Sequence, residues 1–183
     1  MEFEKLLLTV GKILDALDIP YIVTGGYAVS VWGRTRSTLD IDIVIELTAS
    51  KIKTLEQALK KISQISYVDE GAMREALERK SEFNFIYPEL GIKVDFFIRD
   101  DRFFKEQIKR RIPIKIGGQN IYFVSPEDLI LSKLIWCKKS ESSRQIEDVK
   151  SIIKRQKKLD WRYLKKWAKI QETEDVLENL KSG

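Results

Sequence analysis

Histidine is absent from the 183-residue chain and cysteine occurs once, as Cys137. Without an imidazole there is no Ser/His/Asp or Cys/His nucleophilic site, and the commonest zinc ligand is missing, so any catalysis must run on carboxylates, lysines or a borrowed metal. One thiol makes neither an internal disulfide nor a thiolate zinc site, which points to a reducing, cytoplasmic setting. Long apolar runs are missing too. Runs such as Ile121–Val124 fall far short of the roughly 18 residues a membrane helix needs, and the N-terminus opens with Glu2 and Glu4 instead of a basic signal region. No membrane span and no secretion signal is expected. Internal repeats, low-complexity tracts and Gly/Ser linkers are likewise absent.

What is present suits a globular chain. Apolar residues make up 43% of it, and a chain of this size buries on the order of 70% of its unfolded surface, so disorder is excluded. Up to Val124 there are 19 basic and 18 acidic residues, against 14 and 10 in the remainder. The positive surplus therefore lies in the last third, dividing a core over 1–124 from a helical lobe over 125–183. With no linker between them, the two are expected to pack as one compact unit.

The core alternates helices and strands. A helix is predicted from Glu4 to Leu17, a strand from Tyr21 to Thr24 after Pro20, and a helix from Gly26 to Trp32. Ile41, Ile43 and Ile45 alternate with Asp40, Asp42, Val44 and Glu46, the period of a strand with one apolar face. A helix over Ser50–Ile65 follows. Strands Glu82–Tyr87 and Ile92–Ile98 flank the turn Pro88-Glu89-Leu90-Gly91, and Ile112–Ile116 and Gln119–Val124 flank Gly117-Gly118, so two hairpins are expected. Ser125-Pro126-Glu127-Asp128 then supplies an N-cap, a first-turn proline and two acids for the first of three or four helices. The fold class is α/β (α+β): a small mixed sheet flanked by helices, with a C-terminal helical lobe.

Three features carry chemistry. Gly25 and Gly26 stand where a strand becomes a helix, a junction at which phosphate oxygens can reach free backbone N–H groups. Asp40 and Asp42 project from one face of the next strand, roughly 7 Å apart, close enough to share a pair of divalent cations. Asp95 interrupts the apolar strand Lys93-Val94-Asp95-Phe96-Phe97-Ile98, where an unpartnered carboxylate is costly. A simpler reading of these acids is a solvated strand edge, with Asp95 paired to Lys93 or Arg99. Arg36 and Thr38 precede the carboxylates, the first suited to hold a phosphate and the second to orient the loop. Lys133 stands on a largely apolar helix face beside Leu129, Ile130 and Trp136, so its amine is expected to reach something anionic.

Together these residues resemble the nucleotidyltransferase superfamily that includes DNA polymerase beta, in which a strand, a Gly-Gly or Gly-Ser pair and a helix precede Asp-x-Asp and a later lone Asp. Gly25-Gly26-Tyr27-Ala28 and Arg36-Ser37-Thr38-Leu39-Asp40-Ile41-Asp42 are similar to its minimal prokaryotic branch, including abortive-infection type toxins. The usual Ser after the glycine pair is here Tyr27. The resemblance implies two Mg²⁺ ions, with Mn²⁺ as a substitute, on Asp40 and Asp42, while Asp95 completes one metal site and helps deprotonate an acceptor hydroxyl. An NTP would yield a nucleoside monophosphate ester and pyrophosphate. It further implies that Lys133 grips the triphosphate and that Arg144 and Asp148 close the site, which would lie in a cleft between core and lobe. Arg144 and Asp148 also have the i, i+4 spacing of a plain helical ion pair.

Thirteen basic and four acidic residues fall between Lys133 and Lys169, with Trp161, Tyr163 and Trp167 interleaved. That composition suits a phosphate backbone, and RNA such as tRNA is the favoured acceptor, a protein hydroxyl the other. The 3, 4 spacing of Trp161, Leu164, Trp167 and Ala168 places some of these aromatics in a core. A catalytically silent nucleotide- or RNA-binding half of a toxin–antitoxin-like pair, with a protein partner, is the rival reading. An antibiotic-modifying enzyme fits less well, because a cationic aminoglycoside prefers an acidic surface.

Overall fold

The computed structural model describes residues 2–140 and 142–182. In the first half, helix α1 (Glu2–Ala16) lays Leu6, Leu7, Val10 and Leu14 into the core. Strand β1 (Tyr21–Val23) leads into helix α2 (Gly25–Trp32), and β2 (Asp40–Ile45) follows a loop. A 3-10 turn at Ala49–Lys51 opens α3 (Ile52–Lys60). Then come α4 (Glu70–Arg79), β3 (Glu82–Tyr87), β4 (Ile92–Ile98), α5 (Arg102–Arg110), β5 (Ile112–Ile116) and β6 (Gln119–Phe123). Helices α6 (Pro126–Ser140), α7 (Ser143–Arg155), α8 (Trp161–Ile170) and α9 (Glu174–Ser182) complete the chain.

The six strands form one mixed sheet in the order β3-β4-β2-β1-β6-β5. Both predicted hairpins are antiparallel pairs, whereas β2 runs parallel to β4 and β1 parallel to β6. Ile41, Ile43 and Ile45 are completely buried, so alternation along β2 fixes which face carries the carboxylates. The mixed α/β class expected from the pattern is the one observed.

The helix expected over Ser50–Ile65 is shorter. Helix α3 ends at Lys60, and Tyr67 instead pairs with Ile86 through two backbone hydrogen bonds of 3.1 and 2.9 Å, partly covering the edge strand β3. Helices α4 and α5 were not anticipated. Their caps are orthodox: Asp69 accepts from the Ala72 N–H at 2.7 Å and Asp101 from the Phe104 N–H at 3.0 Å. Each buries only two residues, Met73 with Ala76 and Phe104 with Gln107, too few to make a legible stripe.

The chain divides into two units. One holds the chain to Tyr27 together with Ser37–Val124; the other holds Ala28–Arg36 and the chain from Ser125 onward. Segment Ala28–Arg36 belongs with the helices because Gly33 lets it approach them: a Cβ there would lie 2.4 Å from Ser151 Oγ and 3.0 Å from Ile152. Arg155 donates to the Gly33 carbonyl and Gln156 to the Trp32 carbonyl, each at 2.7 Å, while the Arg34 N–H donates to Ser151 Oγ at 3.1 Å. Within the second unit, Ser125 Oγ accepts from the Asp128 N–H and donates to its carboxylate, whose other oxygen accepts from Tyr163 at 2.7 Å. Leu164, Trp167 and Ala168 are buried, so Trp167 is a core residue. No helix among the described residues is long and apolar enough to cross a membrane.

Candidate functional site

In the first unit, parallel pairing of β2 and β4 sets Asp40 opposite Lys93 and Asp42 opposite Asp95. Partners in a parallel register share a face, so the three carboxylates and the lysine form a two-by-two square. Asp40 is exposed, Asp42 half-buried and Asp95 buried. The Asp42 carbonyl accepts from the Thr24 N–H at 2.9 Å, and its carboxylate makes a long 3.4 Å contact with the Gly26 N–H. Gly25 is obligatory: its φ is +62°, and a Cβ would fall 1.8 Å from Asp42 Oδ2. Thr38 Oγ1 bonds to both the carbonyl and the N–H of Asp40, at 3.1 and 3.3 Å, fixing the loop that enters β2.

Asp95 is satisfied locally. Lys93 Nζ lies 2.8 Å from Asp95 Oδ2, and the Asn84 amide, turned so that both its ends find partners, donates to Asp95 Oδ1 at 2.9 Å. The hydrogen bond to Asp95 holds the Lys93 ammonium above its ordinary pKa against partial desolvation, with the charges of Asp95, Asp40 and Glu82 adding to it. With Asp95 turned to Lys93, no three acidic side chains among the described residues converge tightly enough to cage a metal ion as they stand. The donor set itself fits a hard divalent cation, since it is all carboxylate and sits on two adjacent rigid strands.

Tyr27 is turned away from phosphate chemistry. Its ring packs between Phe3 and Phe123, at centroid distances of 5.0 and 5.8 Å, and burial pushes its hydroxyl pKa up. The backbone N–H groups of Gly25, Gly26 and Tyr27 lie in the first turn of α2, the positive end of that helix.

In the second unit, Asp148 is completely buried and Lys133 nearly so. Asp148 Oδ1 accepts from Arg34 Nε and Nη2 at 3.2 and 3.1 Å; Oδ2 accepts from Arg36 Nη1 at 2.8 Å and Lys133 Nζ at 2.9 Å. Lys133 also donates to Gln145 Oε1 at 2.9 Å, and Arg34 to Glu147 at 2.7 Å. Burial raises the Asp148 pKa, but Lys133 first, then Arg36 and Arg34, outweigh it and hold the carboxyl below its ordinary value. Ser30 Oγ bridges the carbonyl and N–H of Arg36 and so fixes its loop. The i, i+4 pair of Arg144 with Asp148 does not form: Arg144, in the first turn of α7, is exposed, and Asp148 turns inward to cations from elsewhere.

Asp40, Asp42, Asp95, Thr38 and the glycine pair thus gather in one unit, and Arg36, Lys133 and Asp148 in the other. Of the two partners expected for Asp95, Lys93 is the one found, while Asn84 and Arg34 escaped the sequence reading of the site. Lys93 stands two residues before Asp95 on one strand face; Asn84 and Arg34 carried no signal, since register and loop path alone bring them in.

The sheet, the glycine turn and the strand carboxylates define a nucleotidyltransferase-like protein. The family described as a nucleotidyltransferase of unknown function, DUF6036, matches residues 2–182, and the chain belongs to it. No curated protein matches the sequence. Among solved structures, an antigenic nucleotidyltransferase-like protein from Paracoccidioides brasiliensis is similar, with a TM-score of 0.57 and 20% identity over 99% of this chain and 92% of that one. The antibiotic-resistance factor ANT(2'')-Ia aligns with a TM-score of 0.61 and 14% identity, covering 96% of this chain and 95% of the other. The lincosamide antibiotic adenylyltransferase LnuA aligns with a TM-score of 0.50 and 19% identity, covering 83% and 98%. At these identities the likeness is one of fold.

Proposed function

We propose that this nucleotidyltransferase moves a nucleoside monophosphate from an NTP to an acceptor hydroxyl, with Asp40, Asp42 and Asp95 as its metal-binding carboxylates. The observation that carries this reading is the register of β2 and β4, which sets Asp42 against Asp95 beside a glycine turn that tolerates no side chain. A divalent ion such as Mg²⁺ or Mn²⁺, when bound there, neutralises phosphate charge and lowers the pKa of the attacking hydroxyl. The chain's part is to orient: the N–H groups opening α2 receive phosphate oxygens, Thr38 fixes Asp40, and Asp95 accepts the acceptor's proton. Within the second unit, Lys133, Arg36 and the exposed Arg144 are the cations offered to phosphate oxygens. That role fits a cluster in which one buried carboxylate faces three cations and Arg36 Nε is buried without a partner.

RNA, such as tRNA, is the favoured acceptor. Lys150, Lys154, Lys157, Lys158, Arg162 and Lys166 are exposed on the second unit and join no carboxylate among the described residues, a surface suited to a polyanion. The rival is a silent nucleotide- or RNA-binding member of a toxin–antitoxin-like pair, favoured by the Tyr27 ring, which withdraws the hydroxyl that Ser would offer. Incubation with each labelled NTP, Mg²⁺ and total RNA separates the two. Label transferred to RNA or protein and lost in Asp42→Asn supports the enzyme; tight NTP binding with no transfer to any acceptor supports the binder.

A further inference from the structure

The square on β2 and β4 holds three acids and one base, and its fourth corner is unusual. Asp40, Asp42 and Asp95 share a face on adjacent strands, about 5 Å apart across the pair and about 7 Å along each strand. Carboxylates that close repel unless a cation lies among them. The fourth corner supplies it: Lys93 Nζ sits 2.8 Å from Asp95 Oδ2, opposite Asp40. Asn84 occupies Asp95 Oδ1, so both oxygens of the buried carboxylate are spoken for inside the β3–β4 pair.

We infer that Lys93 is a resident counter-cation of the acidic site, holding at Asp95 the position that a second divalent ion would take. This rests on the reading of the three carboxylates as metal ligands. The free protein then takes up one divalent ion, at Asp40 and Asp42, and the Asp95 end opens only when the ammonium leaves. The ammonium can leave toward solvent, because the Lys93 side chain is 41% exposed, but Asp95 is buried and its charge has to be met by an incoming cation as Lys93 departs. An arriving triphosphate offers the ammonium another anion, so Lys93 is a positioning residue that links the uptake of the second ion to the presence of the nucleotide. Its four-carbon stem suits such a swing.

Mn²⁺ titration of the full chain, read by electron paramagnetic resonance without nucleotide, tests this. Wild type should bind one Mn²⁺ per chain. Lys93→Met should bind a second, or bind the first on the order of ten-fold more tightly, because one positive charge has gone from a site a few ångströms away. Lys93→Arg should behave as wild type, and Lys93→Met with Asp95→Asn should return to one ion. Melting provides a second readout: Lys93→Met should melt below wild type in EDTA and regain the difference in Mn²⁺, which loss of a merely structural contact does not do. Equal Mn²⁺ number and affinity in wild type and Lys93→Met overturns the inference and leaves the carboxylate reading standing. No Mn²⁺ bound by any variant, with or without NTP, overturns both.

Discussion

In the first unit Asp40, Asp42 and Asp95 share a strand face with a single lysine, whereas in the second the buried carboxylate of Asp148 has Arg34, Arg36 and Lys133 around it, with Glu147 also on Arg34. The acids of the first are graded from exposed to buried, and the buried one, Asp95, is held by Lys93. The carboxylate of the second is wholly buried, with both oxygens engaged. A surplus of like charge is unfavourable for folding and persists where a ligand of opposite sign repays it. A buried carboxylate saturated by cations is first a packing device, and only its surplus cations remain for binding. Substitutions should therefore damage activity in the first unit and stability in the second.

The largest expected effect is Asp42→Asn. Transfer should fall by on the order of a thousand-fold, as for the loss of a principal electrostatic group, while the melting temperature without metal holds or rises. A radiolabelled NTP assay beside a thermal melt checks both, and undiminished activity breaks the metal-ligand assignment. Asp148→Ala should do the reverse, costing roughly 3–5 kcal/mol by leaving buried cations unpaired, measured by urea denaturation. Its linkage to pH follows from sign. The folded pKa of Asp148 lies below the ordinary 3.8, so the unfolded chain binds more protons in the acid range. The stability contributed is full above that value and is lost as pH falls through the folded pKa. Acid unfolding of Asp148→Asn should lack this component.

Gly25→Ala sits at the boundary of the comparison, since it forces a strained φ and displaces the Asp42 carboxylate at once. Roughly 1–3 kcal/mol of stability should be lost, with activity falling further than that loss explains. A variant that keeps full transfer sinks the glycine turn as a phosphate site. Least disturbing to the fold is charge reversal at Lys154, Lys157 and Lys158. RNA affinity should weaken and its log–log salt dependence flatten by roughly 0.7–0.9 per lost phosphate contact, with NTP binding unchanged. Arg155 is left out because it holds the Gly33 carbonyl. RNA binding indifferent to these reversals moves the acceptor to a protein hydroxyl.

Much of the first unit was legible because it is written in short periods: the alternating isoleucines of β2, the glycine pair, and the two hairpin turns. Helices α4 and α5 were not, since two buried residues each leave no apolar stripe, and their caps Asp69 and Asp101 went unread. At the candidate site, local spacing misled once. The four-residue interval from Arg144 to Asp148 suggests a pair, yet Asp148 faces inward and is met by arginines more than a hundred residues earlier in the chain. Lys133 was legible as a cation in need of an anion, because its neighbours are apolar; Arg34 was not, because loop arginines look alike until a fold chooses among them.

Asp42 and Asp95 lie about fifty residues apart in sequence and meet only through a parallel strand pair, the kind of contact that forms late because its loop must close first. A nascent chain that has exposed Asp40 and Asp42 can brace its glycine turn against Asp42, yet still lacks the strand that carries Asp95 and Lys93. No fragment ending before β4 has the acidic square, so the four side chains come together only once β4 has docked beside β2.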